Sequence, residues 1–323
     1  MSVTGTDFLA VNGVSVTLST DAVPKLSVFL ESTSGAYTTT RTHSNASILL
    51  FWDRHIRRLS QSVRILADRN PSSFSNKMTY DSIIPVVQRS LEVGLGLTVG
   101  KRKCEEEEVM VTTLIDCVGD AYVHMGLYVP IMFGDGARIA VSGKGRELAE
   151  AKYSEWTKIR KYMDKFRPPL ATELLLSNDG DQILEGSVSN FFVVCRKPSG
   201  DPQRRNIFEV QTAPVSDGVL PGIVRQLVIE ICSVKGIPLR EVAPKWSENE
   251  NWREAFITNS LRLVQHVEMI QVPRSFGELK KESWKNVSWV EKWFGVAGAI
   301  TTEIQKAILV KASDNGYSTS GFI

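Results

Sequence analysis

"ILEGSVSNFFVV", residues 183–194, runs from apolar residues into a glutamate, then through glycine and small polar residues into a second apolar run. Residues 174–176 before it and 191–194 within it read as buried strand, so Glu185 is flanked by core. An ionised carboxylate leaving water needs a positive partner, because burying it alone is very costly. Two readings stay open at this point. Glu185 ends a strand and turns to solvent, or it faces a cation inside the protein.

At 323 residues, the chain is long enough for a large core and two domains. Hydrophobic content of 42% and charged content of 23% are those of an ordinary globular protein. A net charge of +2, with no basic stripe mixed with aromatics, argues against nucleic acid as a partner. The acidic run at 105–108 reads as a solvated face or a helix start. Cys104, Cys117, Cys195 and Cys232 are far apart with no CxxC pair, so reduced, mostly buried thiols of an intracellular protein are expected. The first residues show neither a secretory nor a transit pattern, and no apolar run reaches membrane-span length. The expected compartment is the cytoplasm.

"FLAVNGVSVTL" (8–18) places two alternating runs around Asn12-Gly13, a hairpin signal. Residues 48–66 pass from a strand-like start into an amphipathic helix with Leu59, Val63 and Leu66 on one face. Residues 109–118 and 121–133 read as two further strands. The pattern predicts an α+β class, with a small N-terminal α+β domain over 1–130, a linker at 131–138 and a larger domain over 139–323. In the larger domain a helix at about 155–165 stops at Pro168-Pro169. Strand, Asp-Gly turn and strand follow through 173–194. The next helix has Pro221 just inside its start and Gly236 just past its end, with Ile223, Leu227, Val228 and Ile231 on its apolar face. A strand enters a turn at 254–261, and 299–310 reads as a closing helix.

"GLGLTVGKR" (94–102) imitates a phosphate loop. Leu95 and Arg102 break the Walker spacing and Val99 the dinucleotide spacing, so it reads as a turn after a helix. His43, His55, His124 and His266 show no metal-ligand spacing, and no metal is expected.

Pyridoxal 5'-phosphate (PLP) chemistry needs a lysine amine for the aldehyde, an acid for the ring nitrogen, and amides plus an arginine for the phosphate. The chain has a candidate for each. Glu185 facing a pyridinium would be a charge-assisted pair, which answers the cost of its burial. "LPGIVR" (220–225) offers the amides of Ile223 and Val224 at a helix start, although an ordinary Pro-started helix explains it equally. Arg58 lies on the polar side of its helix, where a solvated arginine is the plain alternative. Lys152 stands among many lysines, and chemistry alone does not single it out.

Order and spacing bring the resemblance. The chain, from about residue 11 to about 305, resembles the class-IV aminotransferases of PLP fold type IV. That family holds branched-chain and D-amino acid aminotransferases and 4-amino-4-deoxychorismate lyases; the likeness is to a plant-type member. "AYTTTRT" (36–42) with "LLFWDRHIRRLSQS" (49–62) resembles the family's aromatic-E/T-T-x-R stretch and H-x-x-R-L-x-x-S helix, and implies that Arg58 grips the phosphate. Lys152 falls at the family's Schiff-base lysine. "EGSVSNFF" (185–192) resembles E-G-x-x-x-N-x-F, whose glutamate contacts the ring nitrogen. "VLPGIVRQLVIE" (219–230) resembles the phosphate turn L-x-G-I/V-x-R. "AFITNSLRLVQHV" (255–267) resembles the later loop that reaches the phosphate, with Ser260 as counterpart and Thr258 as second choice.

By this resemblance, Lys152 is the catalytic residue. Arg58, Lys152, Glu185, Ile223, Val224 and Ser260 bind the cofactor, and Tyr37, Thr38, Thr258 and Asn259 face the substrate. The fold implied is a small N-terminal domain and a larger domain with a barrel-like sheet, assembled as a homodimer. Val224 replaces a frequent threonine, Glu155 an asparagine, Thr157 the tyrosine of branched-chain enzymes and His266 a proline. The glycine-rich stretch shrinks to Gly35. The implied activity is PLP-dependent amino transfer between an amino acid and a 2-oxo acid. The alternatives are a lyase giving pyruvate and 4-aminobenzoate from an amino-chorismate, and a PLP-binding protein with little turnover.

Overall fold

Asn12 and Gly13 carry the chain through a two-residue turn at φ 51° and 84°, the positive values that a tight hairpin of this hand requires. They join β1 (Phe8–Val11) to β2 (Val14–Ser15) with Val11 opposite Val14. The computed structural model describes residues 8–16, 23–75, 78–131, 133–197, 207–275 and 284–322. Residues 17–18 of the predicted hairpin stretch and residue 132 of the predicted linker lie outside them.

The chain divides into two units, one within Met1–Pro130, Glu150–Lys158 and Lys311–Ile323, the other within Ile131–Ala149 and Ile159–Val310. Residues 150–158 and 311–323, which the sequence pattern groups with the larger domain, pack with the first unit.

In the first unit, α1 (Leu26–Ser32), β3 (Gly35–His43), β4 (Ile48–Leu49), α2 (Trp52–Arg69), α3 (Tyr80–Val99), β5 (Glu108–Asp116) and β6 (Ala121–Tyr128) follow in order. Strand β3 lies against β5 with Thr38 opposite Thr113, and β5 against β6. Only glycine fits at position 35, because a Cβ there would meet the Ile115 carbonyl oxygen at 2.2 Å. Leu59, Val63 and Leu66 are buried on α2, as their spacing predicts.

Two expectations are corrected in this unit. Residues 94–99 are not a turn but the end of α3, because Gly94 lets the helix close on the Phe8 ring, 2.3 Å from where a Cβ would stand. The acidic run is only half solvated. Glu107 and Glu108 are buried; Glu108 accepts hydrogen bonds from the Thr42 hydroxyl at 2.5 Å and the Ala46 amide at 3.2 Å, pinning the loop before β4.

The second unit is built on β7 (Ala137–Val141), β8 (Glu173–Ser177), β9 (Ile183–Gly186), β10 (Asn190–Lys197), β11 (Ile207–Thr212), β12 (Leu239–Glu241), β13 (Trp252–Asn259), β14 (Leu263–Pro273) and β15 (Trp289–Trp293). The sheet closes on itself through β10–β13–β14–β7–β8–β9 and back to β10, which removes the unpaired edges of those strands. Ile139, Val141, Leu175, Ile183, Phe191, Val193, Ile257 and Val267 fill a core among these strands.

The helices are α4 (Glu155–Met163), α5 (Ile223–Lys235) and α6 (Ala299–Asp314). Helix α4 passes into a short 3₁₀ turn at Asp164–Phe166 ahead of the two prolines. Helix α5 ends on Gly236 at φ 66°, as read from the sequence. Its start differs by a residue or two: Gly222 is the N-cap, so Pro221 precedes the helix rather than opening it. Strand β16 (Tyr317–Ser318) pairs with β4 in the first unit.

All four cysteines are free. Cys195 and Cys232 are buried, and desolvation pushes each thiol up to about 12, while Cys104 is exposed and Cys117 partly so. Among the described residues, no helix is long and apolar enough to cross a membrane.

Candidate active site

Lys152 is held by its backbone on both sides. Its amide donates to Ser62 Oγ at 3.1 Å, and its carbonyl accepts from the Tyr37 amide at 2.9 Å. Next to it, Ser154 exchanges backbone and side-chain bonds with Gly35, and its hydroxyl donates to the Thr33 carbonyl at 2.8 Å. The segment is thus a short added rung on β3, with Tyr153 bridged to Ala36. This is why Gly35 matters: it lets β3 run tight against β5 while its other edge receives the lysine. The Lys152 ammonium stands 4.7 Å from the Tyr37 ring centroid, a cation–π distance.

Arg58 is buried, not the solvated arginine its sequence position also allows. Its Nη2 donates to Thr38 Oγ1 at 2.9 Å, and the same oxygen lies 2.7 Å from His55 Nδ1. Neighbouring Arg57 is the exposed one, paired with Asp53 at 2.8 Å. Burial holds the His55 imidazole well below the usual histidine range, and the charges of Arg58 and Lys152 push it the same way. The first unit therefore brings Tyr37, Thr38, Arg58 and Lys152 together around a neutral histidine, with two cations facing it.

In the second unit, the cation that meets Glu185 is Arg146. The fully buried carboxylate accepts Arg146 Nε at 2.8 Å and Nη2 at 2.5 Å on Oε1. On Oε2 it accepts the Leu220 amide at 3.0 Å and Asn190 Nδ2 at 3.3 Å. Asn190 also donates to the Leu220 carbonyl at 2.9 Å, so the start of α5 is tied to the glutamate strand. Gly222 allows this closeness, since a Cβ there would lie 2.0 Å from Asn190 Oδ1. Gly186 serves similarly, with Ser189 Oγ and Glu173 Oε1 both under 2.5 Å from a Cβ position.

Ile223 and Val224 open α5 in a buried setting, and no side chain caps their amides. Buried first-turn amides without a side-chain cap suit an anion. Thr258, on the strand that α5 packs against, is buried, and its hydroxyl has no hydrogen-bond partner among the described residues. Asn259 uses its side-chain oxygen on its own turn, accepting the Leu261 and Arg262 amides at 3.1 and 2.8 Å. Ser260 sits half-buried in that turn. Arg262 donates to Glu173 at 2.6 Å and braces the turn from below.

A phosphate-bearing cofactor fits the residues present. The first unit gathers positive charge at Arg58 and Lys152. The second offers uncapped amides at a buried helix start and an orphaned buried hydroxyl. When bound, pyridoxal 5'-phosphate supplies an electron sink for the substrate carbon. At two of the departures from the family pattern the side chain is otherwise engaged. The Thr157 hydroxyl donates to the Ser154 carbonyl at 2.7 Å, and Glu155 accepts from Lys158 at 2.8 Å on the surface. His266 stands in β14 opposite Phe256, its imidazole lowered by burial.

Four contributors escape single-residue reading: His55, Ser62, Arg146 and Asn190. Ser62 and Asn190 are letters of the quoted motifs, the former ending "HIRRLSQS" and the latter in "EGSVSN". His55 was weighed only as a metal ligand. Arg146 carries no local signal; the need of a buried carboxylate for a cation was the one clue.

Comparison with known proteins agrees with this geometry. Residues 144–270 match the family model described as amino-transferase class IV. Among curated proteins no sequence matches the chain significantly. The branched-chain amino acid aminotransferase of Escherichia coli is similar in structure at TM-score 0.62 and 16% identity, over 96% of this chain and 95% of that one. A candidate 4-amino-4-deoxychorismate lyase from Legionella pneumophila gives TM-score 0.60 and 17% identity, over 93% and 98%. A second bacterial branched-chain amino acid aminotransferase, complexed with N-(5'-phosphopyridoxyl)-L-glutamate and given the organism abbreviation T.th., has TM-score 0.62 and 17% identity, over 97% and 96%. At such identities these likenesses speak to fold, which is that of the fold-type IV aminotransferases. The family match over 144–270 puts the chain in the class IV aminotransferase family.

Proposed function

We propose that this protein is a PLP-dependent enzyme that moves an amino group between an amino acid and a 2-oxo acid. The observation that carries the reading is the clamped lysine. A residue whose backbone is fixed at both its amide and its carbonyl, with its amine over an aromatic face and a buried arginine on the neighbouring helix, is preorganised to act on a small ligand. In this reading Lys152 presents the amine that binds the aldehyde and later takes and returns the Cα proton. Arg58, the amides of Ile223 and Val224, and Ser260 hold the phosphate. Glu185 holds the ring nitrogen in its charged form. Tyr37, Thr38, Thr258 and Asn259 face the substrate. The assembly assigned is a homodimer in the cytoplasm.

The test begins with purified protein and added cofactor. A visible chromophore should form, and borohydride should fix the label on Lys152. Label on another lysine, or no chromophore, overturns the reading. An amino acid donor alone should then bleach the chromophore. Formation of pyruvate from 4-amino-4-deoxychorismate with no 2-oxo acid present would instead favour the lyase, and neither response would leave a binding protein without turnover.

Thr258→Val gives a second check. Removing a buried hydroxyl that has no partner should leave cofactor-free stability unchanged within about 1 kcal/mol, or raise it slightly. If the hydroxyl meets an anion, affinity for the cofactor should fall by roughly tenfold, the worth of one charge-assisted bond. Titration calorimetry alongside urea denaturation separates the two effects. An equal loss in both would mean that Thr258 serves the fold alone.

A further inference from the structure

We propose that His55 is a positioning residue for Arg58, acting through the Thr38 hydroxyl. Nδ1 of His55 is bare and accepts the Thr38 proton, which turns the Thr38 lone pairs toward the guanidinium. The inference rests on the reading of Arg58 as the phosphate-holding arginine.

The argument is one of hydrogen-bond direction. A guanidinium only donates, so at 2.9 Å from Arg58 Nη2 the Thr38 oxygen must be the acceptor. Thr38 then has a single proton of its own to place. It is 1% exposed, so water does not take that proton, and the acceptor within reach is His55 Nδ1 at 2.7 Å. A hydroxyl proton pointing at an N–H would leave both donors unsatisfied in the core, which is costly.

The imidazole is therefore neutral and carries its proton on Nε2, which is buried and has no partner among the described residues. The low basicity of His55 agrees. Burial is the main cause, and Arg58 and Lys152 add to it. The chain runs His55, Thr38, Arg58 across the contact of α2 with β3. His55 and Arg58 lie on one face of α2 three residues apart, and Thr38 reaches that face from β3 between Tyr37 and the half-buried Thr39–Thr112 hydroxyl pair, whose oxygens are 2.9 Å apart.

This arrangement gives Thr38 a use other than contact with substrate. It fixes one arm of the arginine in place before any ligand arrives, so that no ordering of a long side chain is needed at binding.

The experiment has two parts. The first is the imidazole ¹⁵N spectrum of cofactor-free protein, assigned by comparison with His55→Asn. An unprotonated Nδ1 with a protonated Nε2 is expected at neutral pH; a protonated Nδ1 overturns the proposal. The second compares the affinities of wild type, His55→Asn, His55→Leu, Thr38→Ser and Thr38→Val for pyridoxal 5'-phosphate and for phosphate-free pyridoxal.

Asparagine places an acceptor near the Nδ1 position and serine keeps the hydroxyl, so both should stay within about threefold of wild type. His55→Leu and Thr38→Val should bind the phosphorylated compound about tenfold more weakly, in the range of one hydrogen bond to a charged group. Their affinity for pyridoxal should be unchanged. Equal losses for both compounds, or no loss for either, would overturn it. A wild type that binds neither compound refutes the cofactor reading of Arg58, and the nitrogen spectrum still decides the direction of the Thr38 bond.

Discussion

Lys152→Ala is expected to fold as wild type does and to lose turnover by roughly 10³-fold, within the range that a positioned proton-transferring group contributes. The fold should survive because the bonds that hold this segment come from its backbone and from Ser154, which alanine leaves in place. The reaction should not, because no other amine is fixed next to Tyr37 and Arg58. Steady-state rates with an amino acid donor, together with the far- and near-ultraviolet circular dichroism of the variant, test both halves. Partial recovery by added methylamine would identify the missing group as a base. Turnover within tenfold of wild type would remove Lys152 from the centre of the chemistry.

Arg146→Met is expected to lower stability by about 3–5 kcal/mol, the usual result of leaving a buried charge without its partner. Arg146 and Glu185 have side-chain exposures of 9% and 1%, so water cannot replace the lost contact. Arg146→Met combined with Glu185→Leu should recover most of the loss, because an apolar pair of similar volume removes both desolvation costs together. Urea denaturation of the two single variants and the double variant gives the coupling directly. A loss below about 1 kcal/mol in Arg146→Met would show that Glu185 is satisfied without the guanidinium. The pair also bears on catalysis. Glu185→Ala should retain cofactor binding and lose most of the rate of proton abstraction, while an unaffected rate would count against its assigned role.

The readings that held have a common physical basis: each depended on short-range geometry. Asn12-Gly13 had to turn, because both residues adopt positive φ cheaply. Leu59, Val63 and Leu66 had to share a face of α2. Gly236 had to end α5. The misreadings depended on partners distant in sequence. Residues 94–99 resembled a loop because glycines are rare in helices, yet Phe8 needed the space a Cβ would occupy. Glu107 and Glu108 looked solvated because nothing near them is positive. Glu107 instead takes the Lys103 amide, and Glu108 the loop after β3. Asn259, expected to face the substrate, has its side-chain oxygen bonded to two amides of its own turn.

The candidate residues divide along the same line. The order of motifs along the chain was enough to name Lys152, Arg58, Glu185 and the α5 start as a set, and to give the family. Spacing could not say which cation lies against Glu185, because Arg146 reaches it only once β9 lies beside the loop after β7. It could not reveal that Thr38 is bonded on two sides, since His55 and Arg58 meet it across the packing of α2 on β3.

By itself, the sequence determined the element types, the two-part α+β plan and the identity of the chemical groups. These follow from backbone preferences and from periodicities of two and 3.6 residues, which are local. Only the tertiary structure decided how those groups are paired, which hydroxyls are engaged and which is left open. Hydrogen-bond direction and charge burial depend on atoms brought together from distant parts of the chain, and a linear pattern carries no record of those distances.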